Sequence, residues 1–237
     1  MTNYITYLAV FDGLFAESLL QNVLRGIVPI VVLVVVVTIA LKVAEKKRMD
    51  KARQNTQDMI NADDAANSAR HRDISKEFFY TANLADLPVS QYSDEDMAKP
   101  TPSYMWQQKV VAAADKQMLR FDRPYSNVEL KQMFGPANLD NVAKYEENFT
   151  NFIHAMRHWA EALIKTDRYD DAKKVLEESI KAGSELSQSY TLLADIYHQA
   201  GDMPALKKLL TTAQASTMPG KNIATKRIEA LLKGAKA

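Results

Sequence analysis

The chain has 237 residues, with 30 Lys+Arg against 29 Asp+Glu and a formal charge of +1. Near-neutrality excludes the basic excess of a general nucleic-acid binder and the imbalance of an acidic tail. The absence of cysteine excludes disulfides, thiolate metal sites, cysteine nucleophiles and Cys-linked lipid anchors, while few Gly and Pro favour helix.

Residues 1–25 form an apolar N-terminal segment in which Tyr4, Ile5, Tyr7, Leu8, Val10, Phe11, Leu14 and Phe15 fit a helix broken at Asp12-Gly13. It either lies in the membrane interface or packs on a partner's membrane helices. The absence of Lys or Arg before Arg25 argues against a cleaved signal peptide.

Residues 26–44, GIVPIVVLVVVVTIALKVA, carry one charge, Lys42. Their length matches a hydrocarbon core of about 30 Å. Valine-rich as it is, a lone apolar run in lipid is helical, because only a helix satisfies its own backbone there. Pro29 is expected in the first helical turn, where its missing N–H costs least. Asp12, Glu17 and Arg25 precede the run; Lys42, Lys46, Lys47, Arg48, Lys51 and Arg53 follow it as a basic membrane collar. Positive charge stays inside, so the expected protein is a single-pass inner or plasma membrane protein. Its N-terminus faces out and residues 45–237 are cytoplasmic.

Residues 45–83 are expected as a polar helical stalk. Met49, Ala52, Thr56, Met59 and Ala66 trace a heptad, but Asp63 and Arg70 share the seam, which argues for a solvated helix over a coiled coil. Residues 84–101 read as a linker, with Pro88, Pro100 and the acidic run Asp94-Glu95-Asp96. The helical domain, residues 102–237, opens at Thr101-Pro102. Its first helix carries Trp106, Val110, Ala113, Gln117 and Phe121 on one face and ends at Asp122-Arg123-Pro124. Ser126 and Glu129 then form a capping box for a short helix that buries Leu130, Met133 and Phe134. A long helix from Leu139 to Lys165 follows, with Asn138 as a candidate cap.

Shifting the chain by 34 residues superposes Met156 on Tyr190, Trp159 on Leu193, Ala160 on Ala194, Asp167 on Gly201, Ala172 on Leu206 and Ser179 on Ala213. A 34-residue period with two helices per unit is that of tetratricopeptide repeats. Residues 153–219 resemble two such repeats, 153–186 and 187–220, followed by a capping helix over 221–234. The second carries the better match, Tyr190-x-x-Leu193-Ala194-x-x-Tyr197-x-x-x-Gly201-Asp202, with Ala213 and Pro219. The expected fold is therefore all-α: one transmembrane helix, then a soluble domain ending in a TPR-like α-solenoid.

The resemblance implies a groove for a protein or peptide partner, lined by His154, Arg157, Glu161, Gln188, Thr191, Asp195 and His198. Glu161 and Asp195 stand where the family's carboxylate clamp places Asn, which favours a mixed or basic ligand. His154 and His158 share a helix face, but Ala155 replaces the Glu of a zinc-protease helix, so no metal site is assigned. The Asn148-Phe149-Thr150 sequon falls within a helix and is expected to be unmodified. No nucleophile elbow and no separated carboxylate pair is present, so no enzyme, cofactor or small-molecule substrate is expected. The functional expectation is a membrane-anchored protein–protein adaptor. The alternative is a structural accessory subunit of a membrane complex that packs through residues 3–44.

Overall fold

The computed structural model describes the backbone of residues 2–90 and 99–234, and the side chains of 25–90 and 99–234. The acidic run Asp94-Glu95-Asp96 and the side chains of the apolar N-terminal segment lie outside the described residues. Two compact units divide the chain, residues 1–65 and 66–237.

The first unit is helix. α1 runs from Thr2 to Asn67, about 100 Å at 1.5 Å per residue. Pro29 lies in its interior, not in a first turn as expected, because the preceding apolar segment continues the same helix. From Ile27 to Val43, thirteen large aliphatic side chains are exposed, and this stretch is long and apolar enough to cross a membrane. Thr38, its polar interruption, donates its hydroxyl to the Val34 carbonyl at 2.7 Å. That bond satisfies the hydroxyl within the helix.

The second unit is built from α2 (Pro102–Ala114), α3 (Asn127–Phe134), α4 (Leu139–Ile164), α5 (Tyr169–Lys181), α6 (Ser187–Gln199), α7 (Met203–Ala215) and α8 (Lys221–Gly234). Two strands of two residues each, β1 (Phe79–Tyr80) and β2 (Met118–Leu119), pair antiparallel. The expected stalk helix to residue 83 is corrected: it stops at Asn67. The cause is the aromatic triplet Phe78-Phe79-Tyr80. Phe78 packs edge-on to Phe121 and Phe134, and Tyr80 to Phe149. Such rings bury large apolar area that a solvated helix would leave wet.

The expected helix through Phe121 also ends early, at Ala114. The chain then turns extended because both Met118 and Leu119 are fully buried, on opposite sides. Met118 enters the larger core and Leu119 the smaller one, the period-2 alternation of a strand between two apolar layers. The linker is partly structured as well. Leu87 is buried in the larger core. Gln107, itself buried on α2, donates to the Ser90 carbonyl at 2.8 Å and accepts from the Ser90 N–H at 3.2 Å.

Local chemistry sets the helix starts. Thr101 accepts from the Tyr104 N–H ahead of Pro102. Ser126 and Glu129 complete the capping box. Hydrogen bonds from Arg123 and Ser126 pull the Glu129 carboxyl down to about 2. Asn138 does not cap α4; its amide donates to the carbonyls of Arg72 and Phe134 and ties the incoming chain to α3. Gly135, at φ 82°, is required where that chain crosses, since a Cβ would stand 2.8 Å from the Arg70 carbonyl oxygen.

The two turns related by the 34-residue shift have similar backbones. α5 and α7 are both thirteen residues long, and each starts two residues after a left-handed position. That position is Asp167, at φ 58°, in the α4–α5 turn and Gly201, at φ 71°, in the α6–α7 turn. The N–H of the next residue returns to a carbonyl five residues back in both turns, Arg168 to Leu163 and Asp202 to Tyr197. Equivalent side chains are buried in pairs: Met156 and Tyr190, Trp159 and Leu193, Ala172 and Leu206. A left-handed conformation is costlier for Asp than for Gly. Asp167→Gly is therefore expected to raise stability by about 0.5–1 kcal/mol and Gly201→Asp to lower it by as much. Thermal melting of the full chain checks this, and the opposite ordering would contradict the equivalence of the two turns.

Candidate functional site

Of the seven residues expected to line a groove, His154 lines the cavity described below. Arg157 is corrected outright: it is buried, and its guanidinium donates to Glu161 one helical turn on. α2 causes this. Trp106 on α2 stacks on His158 with ring centroids 4.3 Å apart, so this face of α4 meets another helix rather than solvent. His158 Nδ1 lies 3.2 Å from Glu161, and its ring abuts the Arg157 guanidinium, a neighbour that repels a metal cation.

On α6, Gln188 is exposed and Thr191 donates to the Gln188 carbonyl. Asp195 accepts from Nε and Nη2 of Arg227 at 3.0 and 2.8 Å, which ties α6 to α8. His198 is half-buried, and its Nδ1 is shut from solvent without a hydrogen-bond partner among the described residues. The basic collar, Lys42, Lys46, Lys47, Arg48, Lys51 and Arg53, is exposed along α1.

A concavity with apolar walls lies elsewhere, where β2 and the turn after it, the first half of α4 and the α5–α6 loop converge on a cavity of about 420 Å³. Its apolar walls are Leu119, Phe121, Phe149, Ile153 and Leu186. Each wall has a local cause. Leu119 and Phe121 follow from the strand. Phe149 and Ile153 recur at i and i+4 on α4.

The α5–α6 loop is held against β2 by Arg120, whose Nη1 donates to the Ala182 carbonyl at 3.0 Å. Gly183, at φ 96°, lets the loop approach, because a Cβ there would sit 3.3 Å from Arg120 Cδ. Ser184 and Ser189 close the loop internally, with the Leu186 N–H donating to the Ser184 hydroxyl.

Charged groups ring the opening. Arg123 is spent on Glu129 at 2.8 Å and lies over the Tyr125 ring. Burial, then the nearby Arg157 and His158, pushes His154 below its ordinary value, so it is neutral at pH 7. Glu146 is raised by partial burial and by the Glu185 charge facing it. Glu185 also contributes, after burial, to the raised Tyr190 phenol. No group of three His, Asp or Glu able to hold a metal occurs among the described residues.

Sequence reasoning missed Glu146 and Glu185 as a pair. Glu146 carried a signal: it precedes Phe149, Thr150 and Ile153 at i+3, i+4 and i+7, on the stripe that faces the cavity. Glu185 carried none, since it sits in an aperiodic loop that only the tertiary fold brings to α4.

Comparison of the chain with protein-family models, with curated proteins and with solved structures finds no match in any of the three. What the site does is therefore argued from its own geometry.

Proposed function

We propose that this chain is a single-pass membrane protein that holds a TPR-like helical domain at the cytoplasmic face, where the domain docks a protein partner. The observation that carries the reading is the exposed apolar stretch Ile27–Val43 on α1, in one chain with the paired hairpins α4–α5 and α6–α7. Thirteen exposed aliphatic side chains are untenable in water at about 0.8 kcal/mol per buried methylene; a bilayer covers them. The basic collar follows the stretch, as the positive-inside rule requires for a cytoplasmic second unit. Stacked helical hairpins build extended surfaces that serve recognition. The function proposed is binding.

Topology tests the reading first. The chain lacks intrinsic thiols, so Asn3→Cys and Ser216→Cys can be labelled with a membrane-impermeant maleimide. The expected result is labelling of Asn3→Cys in intact cells and of Ser216→Cys only after lysis. Labelling of Ser216→Cys in intact cells would place the helical domain outside and overturn the cytoplasmic assignment. Deletion of residues 2–24 separates the adaptor from an accessory subunit packed through residues 3–44. An adaptor still reaches the membrane and recovers its partner; an accessory subunit is lost from its complex.

A further inference from the structure

The cavity beside α4 combines an apolar floor with an unbalanced charge. Leu119, Phe149, Ile153 and Leu186 supply the floor, and Glu146 and Glu185 lie at its edge. Neither carboxylate has an ion-pair partner among the described residues. Of the positive groups in the lining, Arg123 is paired with Glu129, and Arg120 keeps its charge while donating to the Ala182 carbonyl, so the two carboxylates outnumber the one uncompensated cation. His154 adds no charge at neutral pH. A partly desolvated carboxylate beside a like charge is relieved by an incoming cation and aggravated by an anion. The long stems of Lys and Arg suit such a place, because they lie along apolar surface while the charged head meets an acid. The volume, about 420 Å³, falls within the range of small-ligand clefts, roughly 300–1,000 Å³.

We infer that this cavity is the docking pocket for a lysine or arginine side chain, presented beside an apolar residue by an extended segment of the partner protein. The inference rests on the docking reading above and adds the place of contact and the chemistry of the partner. It moves recognition away from the face of α4 that α2 covers, to the edge where β2, α4 and the α5–α6 loop meet. Specificity then comes from Glu146 and Glu185, and affinity from Phe149, Ile153 and Leu186.

The test uses the full chain in lipid nanodiscs and the probe acetyl-Ala-Leu-Arg-Leu-Ala-amide, with Glu in place of its Arg as control. Saturable shifts of the Ile153 and Leu186 methyl resonances are expected with the arginine peptide and not with the glutamate peptide. Glu146→Gln and Glu185→Gln should each weaken binding about fivefold, as for a partly exposed ion pair. Loss of fold would not explain this. Because the Glu146 carboxyl is raised, its ionised form weakens the fold once pH climbs past that raised value, and Glu146→Gln removes the penalty. The variant should melt no lower than the parent at pH 7 while binding less. Equal binding of the glutamate peptide, or unchanged binding by the double variant, would overturn the inference.

A photocrosslinking residue replacing Thr150 or Gln188 in native membranes separates the two levels of the argument. Crosslinks at Thr150 that vanish in the double glutamine variant support the pocket. A protein captured at Gln188 alone overturns the pocket and leaves the docking reading standing. Capture at neither position overturns both.

Discussion

Trp159→Ala lowers the stability of the helical unit by about 3–5 kcal/mol, the range for deleting a buried Trp or Phe side chain. Trp159 is fully buried in the larger core. Phe152, Met156 and Leu163 flank it along α4, and Val110, Val175, Leu176 and Leu193 join the same cluster from α2, α5 and α6. Truncation leaves a void that rigid helices on three sides cannot collapse into, so a cavity cost adds to the lost burial. For a unit of this size the loss corresponds to roughly 6–20 °C in the melting midpoint. Near-UV circular dichroism of the full chain during heating measures it, with Trp106 left as the remaining indole reporter. Trp159→Phe should cost well under half as much. It keeps a ring and removes an indole N–H that is buried without a partner among the described residues. If alanine and phenylalanine cost the same, or alanine costs under about 1 kcal/mol, Trp159 is not central to this core.

The same residue shows what the sequence makes legible. Trp159 and Leu193 were paired by the 34-residue shift alone, and both are buried. The shift also put Asp167 over Gly201, and both backbones are left-handed. These pairs are readable because helix hairpins solve similar packing problems with local signals: apolar spacing, a turn, a helix start. The capping box at Ser126 and Glu129 was legible for the same reason, since its partners lie within one turn.

What failed to read was non-local. Residues 117–121 read as the end of a helix, with Gln117 and Phe121 on its face, because nothing nearby announces that β1 arrives from residues 79–80 to pair with Met118 and Leu119. Arg157 looked like an exposed groove position, but it is buried, and its neighbour His158 stacks on Trp106 of α2, from some fifty residues upstream. Glu146 and Glu185 acquire meaning only when the Arg120 clamp pulls the α5–α6 loop beside α4. Local propensity could not register any of these, since the free energy that decides them sits in tertiary contacts. The consequence for function is direct. The surface expected from the resemblance is partly covered, and the cavity beside α4 joins residues of the expected repeats, Ile153, Glu185 and Leu186, to residues before them, Leu119, Glu146 and Phe149.

Two arginines in the apolar stretch abolish membrane integration, whereas one does not. Thirteen aliphatic residues between Ile27 and Val43 contribute about −0.3 to −0.6 kcal/mol each on an insertion scale, or roughly −4 to −8 kcal/mol together. Arginine at the helix centre costs about 2.5–3.5 kcal/mol and also forfeits the valine it replaces. Val35→Arg therefore leaves the balance near zero or favourable, helped by snorkelling toward the interface. Val34→Arg combined with Val37→Arg costs about 6–8 kcal/mol and brings the sum to between about −2 and +4 kcal/mol, centred above zero. The paired substitutions lie at i and i+3, so both charges fall on one side of α1 and cannot snorkel to opposite interfaces. Carbonate extraction reads the outcome, with the single variant in the membrane pellet and the double variant in the soluble fraction. The helical unit should keep its near-UV spectrum in both, because residues 1–65 form a separate compact unit. A double variant that stays in the carbonate-resistant pellet would mean that partner helices, rather than lipid, cover the stretch. That outcome favours the accessory-subunit alternative over the adaptor.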